Sequence, residues 1–234
     1  VNNSIDTVLF DLDGTLVFHE PDSLEVLGAF CTEIGQPLNA KVRWQVLRTR
    51  HEYFVDPKVR EELGRFSPDQ FWQHFNRRLL AAAGIQGDLD HLAREITRRI
   101  GELDFGYYCP EHGLQTLIEL RQRGYGLGLI TNRENVERFH ELLDLTQLRP
   151  YFDLLLASGE VGVSKPNPGI FHAALDRMGT TAGRSLYIGD NYWADVVGAQ
   201  RAGLTPVLLD PYRVFPEADC LILDRTDDLL AWLP

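Results

Sequence analysis

Two aspartates stand two residues apart in Asp11-Leu12-Asp13-Gly14-Thr15, directly after the short apolar run Ile5 to Phe10. If the chain turns at Asp13, as Gly14 permits, one carboxylate can attack phosphorus as a nucleophile while its neighbour handles the leaving-group proton. Three further clusters also follow short apolar runs: Thr131-Asn132 after GLGLI, Lys165 in Gly162-Val163-Ser164-Lys165-Pro166, and Asp190 after LYIG, with Asp195 five residues on. Thr131 and Asn132 offer a hydroxyl and a backbone N–H to phosphoryl oxygens. Lys165 would neutralise the nucleophile's charge and hold a non-bridging phosphate oxygen as a compact point charge. It is one of only three lysines, with Lys41 and Lys58, among 23 basic residues. Asp190 belongs to a strand-end loop within reach of a metal beside Asp11. Asp195 lies about 140° further round an ideal helix, so it is expected in the first helical turn as an outer partner or occasional ligand. Oxygen-only ligands suit magnesium. Each cluster also has a plain structural reading: an acidic turn at Asp11–Asp13, helix capping at Thr131-Asn132 and at Asp190 and Asp195, and an ordinary surface lysine at Lys165.

These groups converge only if the elements carrying them are parallel strands. Ile5 to Phe10, Gly126 to Ile130, Leu154 to Ala157, Leu186 to Ile188, Val207 to Leu209 and, weakly, Leu221 to Leu223 are short apolar runs alternating with helical stretches. Asn167-Pro168 marks a helix start, and Gly179 and Gly203 mark helix ends. The pattern predicts an α/β fold, a parallel sheet covered on both faces, whose strands present their carboxyl ends on one edge. Between about Val17 and Tyr107 the spacing is helical. Leu24, Leu27, Cys31 and Ile34 form one stripe, and Trp44, Leu47, His51 and Phe54 a second. Phe71, Phe75 and Leu79 form a third, and Leu89, Leu92, Ile96, Ile100 and Leu103 a fourth. With no strand signal interrupting, residues 17–107 are expected to be an inserted helical domain, and 1–16 with 108–234 the catalytic core.

The four clusters taken in order resemble the haloacid dehalogenase superfamily of phosphohydrolases over essentially the whole chain. The resemblance implies a Rossmann-like core with a helical cap of the family's first cap class. It further implies Asp11 as nucleophile, Asp13 as general acid and base, Thr131 and Lys165 as phosphate holders, and magnesium held by Asp11, Asp190 and the Asp13 backbone carbonyl. The expected substrate is a small phosphorylated metabolite such as phosphoglycolate, a sugar phosphate or a nucleoside monophosphate. The superfamily's dehalogenases lack the second aspartate of the first motif, so Asp13 favours a phosphatase. A phosphoglucomutase-like phosphotransferase and a non-catalytic binding protein are the alternatives.

Composition narrows the partners. At 234 residues, 44% hydrophobic and 24% charged, the chain reads as folded throughout. A formal charge of −11 disfavours nucleic-acid binding and repels phosphates at long range, so a phosphate site must be built locally from a cation and oriented N–H groups. Cys31, Cys109 and Cys220 form no metal-ligand pair or disulfide framework. With no membrane span and no targeting segment expected, a cytoplasmic protein fits best. The cap aromatics Trp44, Tyr53, Phe54, Phe66, Phe71 and Trp72 are expected mostly in the bundle core. Arg43, Arg48, Arg50, Arg60 and Arg65 are expected to be mostly surface, with a substrate carboxylate as the alternative partner.

Overall fold

The computed structural model describes residues 5–54, 56, 59 and 66–234. The chain divides into two compact units, Val1–Phe18 with Tyr107–Pro234, and His19–Gly106.

In the first unit six strands form one sheet. They are β1 (Thr7–Phe10), β4 (Gly126–Thr131), β5 (Leu154–Ala157), β6 (Ser185–Gly189), β7 (Thr205–Leu209) and β8 (Leu221–Leu223), in the order β5-β4-β1-β6-β7-β8. Every neighbouring pair is parallel, and β1 is central, Thr7 lying opposite both Gly126 and Ser185. The two-residue period of a strand sorts the side chains onto two faces. Val8, Phe10, Leu127, Leu129, Leu186 and Ile188 enter one apolar layer; Leu9, Ile130 and Tyr187 enter the other with Ile170, Phe171 and Ala174. All four residues of β1 are buried, as a strand covered on both faces must be. The helix Pro168–Met178 starts as its sequence dictates: the Asn167 side chain accepts from Gly169 N–H, Pro168 is the first helical residue, and Gly179 ends it at φ +65°. This is the expected α/β core.

The second unit packs the helices Ser23–Glu33, Ala40–Tyr53, Pro68–Ala82 and Leu89–Gly101 around Leu27, Phe30, Cys31, Val46, Tyr53, Leu79, Leu80 and Ile96. Asp22, Asn39, Ser67 and Asp88 cap the four N-termini through their side chains. Two expectations need correction. The buried residues of Ala40–Tyr53 are Val46 and Tyr53, with Val42 packed beside them, so the stripe Trp44, Leu47, His51, Phe54 has the wrong phase and Phe54 is exposed. That helix carries apolar residues round much of its circumference, so periodicity alone could not pick its inner face. The helical block is also framed by strands: β2 (Phe18–Glu20) and β3 (Gly106–Tyr108) pair as a two-stranded sheet, each too short for an alternation to register. Arg60 and Arg65 lie outside the described residues. Among the described residues no helix is long and apolar enough to cross a membrane.

Candidate active site

Because its strands are parallel, the sheet delivers Asp11, Thr131 and Asp190 to one edge from the ends of β1, β4 and β6. Lys165 arrives from the loop that follows β5 and the short helix Ser158–Val161. It is 4% exposed, and its ammonium is saturated: Nζ donates to Asp11 Oδ1 at 2.6 Å, Asp195 Oδ1 at 2.6 Å and Tyr187 Oη at 2.8 Å. An ordinary surface lysine is thereby excluded. Its backbone is gripped as firmly, since Asn132 Oδ1 accepts from Lys165 N–H at 2.7 Å and Asn132 Nδ2 donates to Lys165 C=O at 3.0 Å. Asn132 therefore spends its side chain on placing the lysine loop. Thr131 is buried beside it at the end of β4.

The Asp190–Asp195 segment departs from a regular helix. Asn191 caps it, accepting from Trp193 N–H and Ala194 N–H, and a single π-type turn, Tyr192–Val196, precedes the helix Val197–Ala202. Asp195 is thus turned inward and buried, with Oδ1 on Lys165 and Oδ2 accepting from Asn191 N–H at 2.9 Å. Carboxylate oxygens of Asp11, Asp190 and Asp195 lie within 4.8 Å of one another. The backbone is drawn in as closely: a Cβ on Gly14 would come within 2.5 Å of Asp190 Oδ2, and one on Gly189 would overlap the Asp195 carboxylate.

Three carboxylates against one ammonium leave a surplus of negative charge in a largely buried place, costly in a low-dielectric interior unless a cation balances it. Burial pushes the Asp11 carboxyl well above its ordinary range; Lys165 opposes this, and Asp195 and Asp190 add to it. Burial pulls Lys165 down, but the charges of Asp11 and Asp195 outweigh it and hold the ammonium above its ordinary value. Burial, with Asp195 and Asp11 nearby, likewise raises the Tyr187 phenol, which stays protonated. A hard, oxygen-only donor set with this surplus fits a divalent ion such as magnesium.

The side chain of Asp13 is not in this cluster. It points to Arg133, which grips it fork to fork, Nε to Oδ2 at 2.9 Å and Nη2 to Oδ1 at 2.6 Å. Motif reading missed Arg133, although it follows Thr131-Asn132 directly. It also missed Tyr187, counted among the apolar residues of its strand, and Asn191, which orients Asp195. A hydroxyl inside the otherwise apolar run LYIG, which leads into Asp190, was the available signal for Tyr187.

A family model described as haloacid dehalogenase-like hydrolase matches residues 5–203. The chain belongs to that family. Among curated relatives, the glyceraldehyde 3-phosphate phosphatase of Methanothermobacter thermautotrophicus is 29% identical over 92% of this chain and 87% of its own length. The ribulose-1,5-bisphosphate 5-phosphatase of Halopiger xanaduensis is 30% identical over 87% of this chain and 84% of its own. The crystal structure of a phosphatase of the same family from Thermococcus onnurineus superposes with a TM-score of 0.58 at 24% identity, covering 98% of each chain, and shares the hydrolase's fold.

Proposed function

We infer that this hydrolase is a phosphatase of small phosphorylated metabolites that carries the phosphoryl group on Asp11 before passing it to water. The observation that carries the reading is the buried lysine locked between Asp11 and Asp195 with Asp190 alongside, which fixes one oxygen of a carboxylate and leaves the other for attack. Asp11 attacks phosphorus, the ester P–O bond breaks with its electron pair on the leaving oxygen, and Asp13 supplies that oxygen with a proton. Asp13 then takes a proton from a water whose oxygen attacks the same phosphorus. The bond to Asp11 breaks, the carboxylate is regenerated and inorganic phosphate leaves.

Thr131 and the Asn132 backbone N–H are assigned to the phosphoryl oxygens, and Lys165 to the charge that builds on them. Asp11, Asp190 and the Asp13 carbonyl would hold magnesium. Asp195 stays behind them, because Lys165 and Asn191 already occupy its two oxygens. When bound, the ion would neutralise phosphate charge and polarise the phosphoryl group. The relatives' phosphatase activities on small phosphate esters support the substrate class, and the helical domain, residues 17–107, is assigned the choice among such esters. The three free cysteines favour a cytoplasmic setting.

Asp11→Asn should abolish turnover of an aryl phosphate, and EDTA should abolish it reversibly in the wild type, with magnesium restoring it. In Asp13→Asn an aryl ester should still transfer its phosphoryl group, so that phosphoenzyme accumulates and maps to Asp11 by mass spectrometry at low pH. Adduct on any other residue, or full activity of Asp11→Asn, refutes the reading.

A further inference from the structure

The Arg133–Asp13 pair poses a problem for the step just assigned to Asp13. Both oxygens of that carboxylate are committed to guanidinium N–H groups, so neither is available to a leaving oxygen or a water while the pair holds. The pair is not locked in place by burial. The side chains are 28% and 48% exposed, and an ion pair in such contact with solvent is screened, so a competing anion can displace it. Among the described residues of this site, Arg133 is the cation with donors to spare for an arriving anion, whereas a Lys165 N–H must first leave Asp11, Asp195 or Tyr187. It lies close enough to Asp11 to feel that residue's charge. A guanidinium presents five donors in a planar fork suited to carboxylate and phosphate, of which Asp13 uses two.

We propose that Arg133 reads a second anionic group on the substrate, a carboxylate or phosphate borne on the carbon chain next to the ester, and that engaging it releases Asp13 for proton transfer. The proposal rests on the phosphatase reading above and narrows its substrate class. An ester with two anions would draw the guanidinium off Asp13 and be both held and turned over. An ester of the same size without a second anion would find Asp13 still occupied.

The test compares wild type, Arg133→Gln and Arg133→Lys on ethyl phosphate, 2-phosphoglycolate and propane-1,3-diol bisphosphate, with kcat and KM measured separately. On whichever of the two-anion esters the wild type prefers, Arg133→Gln should lose roughly 10²-fold in kcat/KM, the scale of a lost charge-assisted contact, and Arg133→Lys should recover part of it. On ethyl phosphate Arg133→Gln should gain about two- to fivefold in kcat, because a pair worth up to about 1 kcal/mol no longer holds Asp13. The choice between carboxylate and phosphate falls to the two bifunctional esters. Calorimetry with phosphonoacetate gives a readout independent of turnover: in magnesium buffer the wild type should bind it more tightly than Arg133→Gln does, while ethylphosphonate should bind both alike. Equal loss on all three esters, or equal binding of phosphonoacetate to both proteins, overturns the proposal. If Asp11→Asn kept its activity, the nucleophile assignment would fall, and phosphonoacetate binding would still decide the role of Arg133.

Discussion

At the scale of single residues, the site depends on a side chain with no spare valence. The three donors of Lys165 meet three acceptors, and its hydroxyl partner Tyr187 passes a hydrogen bond on to Ile130 C=O at 3.2 Å. For Lys165 to touch a phosphate oxygen it must exchange one of these acceptors, and the neutral one, Tyr187, is the cheapest to give up. The arrangement also requires a point charge, because a planar guanidinium cannot aim at three acceptors around one nitrogen in so closed a pocket. We expect Lys165→Arg to lose within tenfold as much kcat/KM as Lys165→Met, roughly 10²–10³-fold on an aryl phosphate. Tyr187→Phe should cost about 1 kcal/mol in stability and less than tenfold in turnover. Steady-state kinetics and urea unfolding on the three variants decide this. A Lys165→Arg protein near wild-type activity would mean that charge alone matters there.

At the scale of elements, two glycines bring strand-end loops against carboxylates, one by conformation and contact together, the other by contact alone. Gly14 combines φ +81° with a near approach to Asp190, whereas Gly189 has no left-handed φ and is constrained by Asp195 only. Gly179, by contrast, has φ +65° and open space around it. Gly179→Ala should therefore cost about 1 kcal/mol of stability and leave catalysis intact, while Gly189→Ala should raise the magnesium concentration for half-maximal activity at least about tenfold. Metal titrations of the two variants separate strain from site damage. Elements of this kind were legible in the sequence because their signals are local: an apolar run, a cap, a glycine, a carboxylate at the end of a strand. The inward turn of Asp195 was not, since it depends on one i→i−5 hydrogen bond, Val197 N–H to Tyr192 C=O, that no residue type announces. Nor was the partner of Asp13, because Arg133 lies 120 residues away in the chain and meets it only once β1 and β4 are side by side.

At the scale of the whole molecule, the helical unit carries a pH dependence of its own. His51 is half-buried there, and burial, with the charge of Arg50, pushes it down from 6.5 to about 3. Between those values the unfolded chain binds a proton that the folded chain refuses, so stability falls as pH drops below about 6.5. From pH 7 to pH 5 the wild type should lose about 1–2 kcal/mol more than His51→Gln, with the side chain's partial exposure favouring the lower figure. Denaturant unfolding at both pH values measures the difference, and parallel losses would remove His51 from the account. The sheet order has a separate consequence for biosynthesis. The strand bearing Asp11 emerges from the ribosome first, yet its neighbours are β4 and β6, and the second of these is not complete until residue 189. The helical unit, one uninterrupted stretch, can consolidate while that first strand still waits unpaired. Production of this enzyme is therefore most exposed to aggregation before Ser185–Gly189 appears, when the apolar first strand has two open edges until β4 is made and one thereafter.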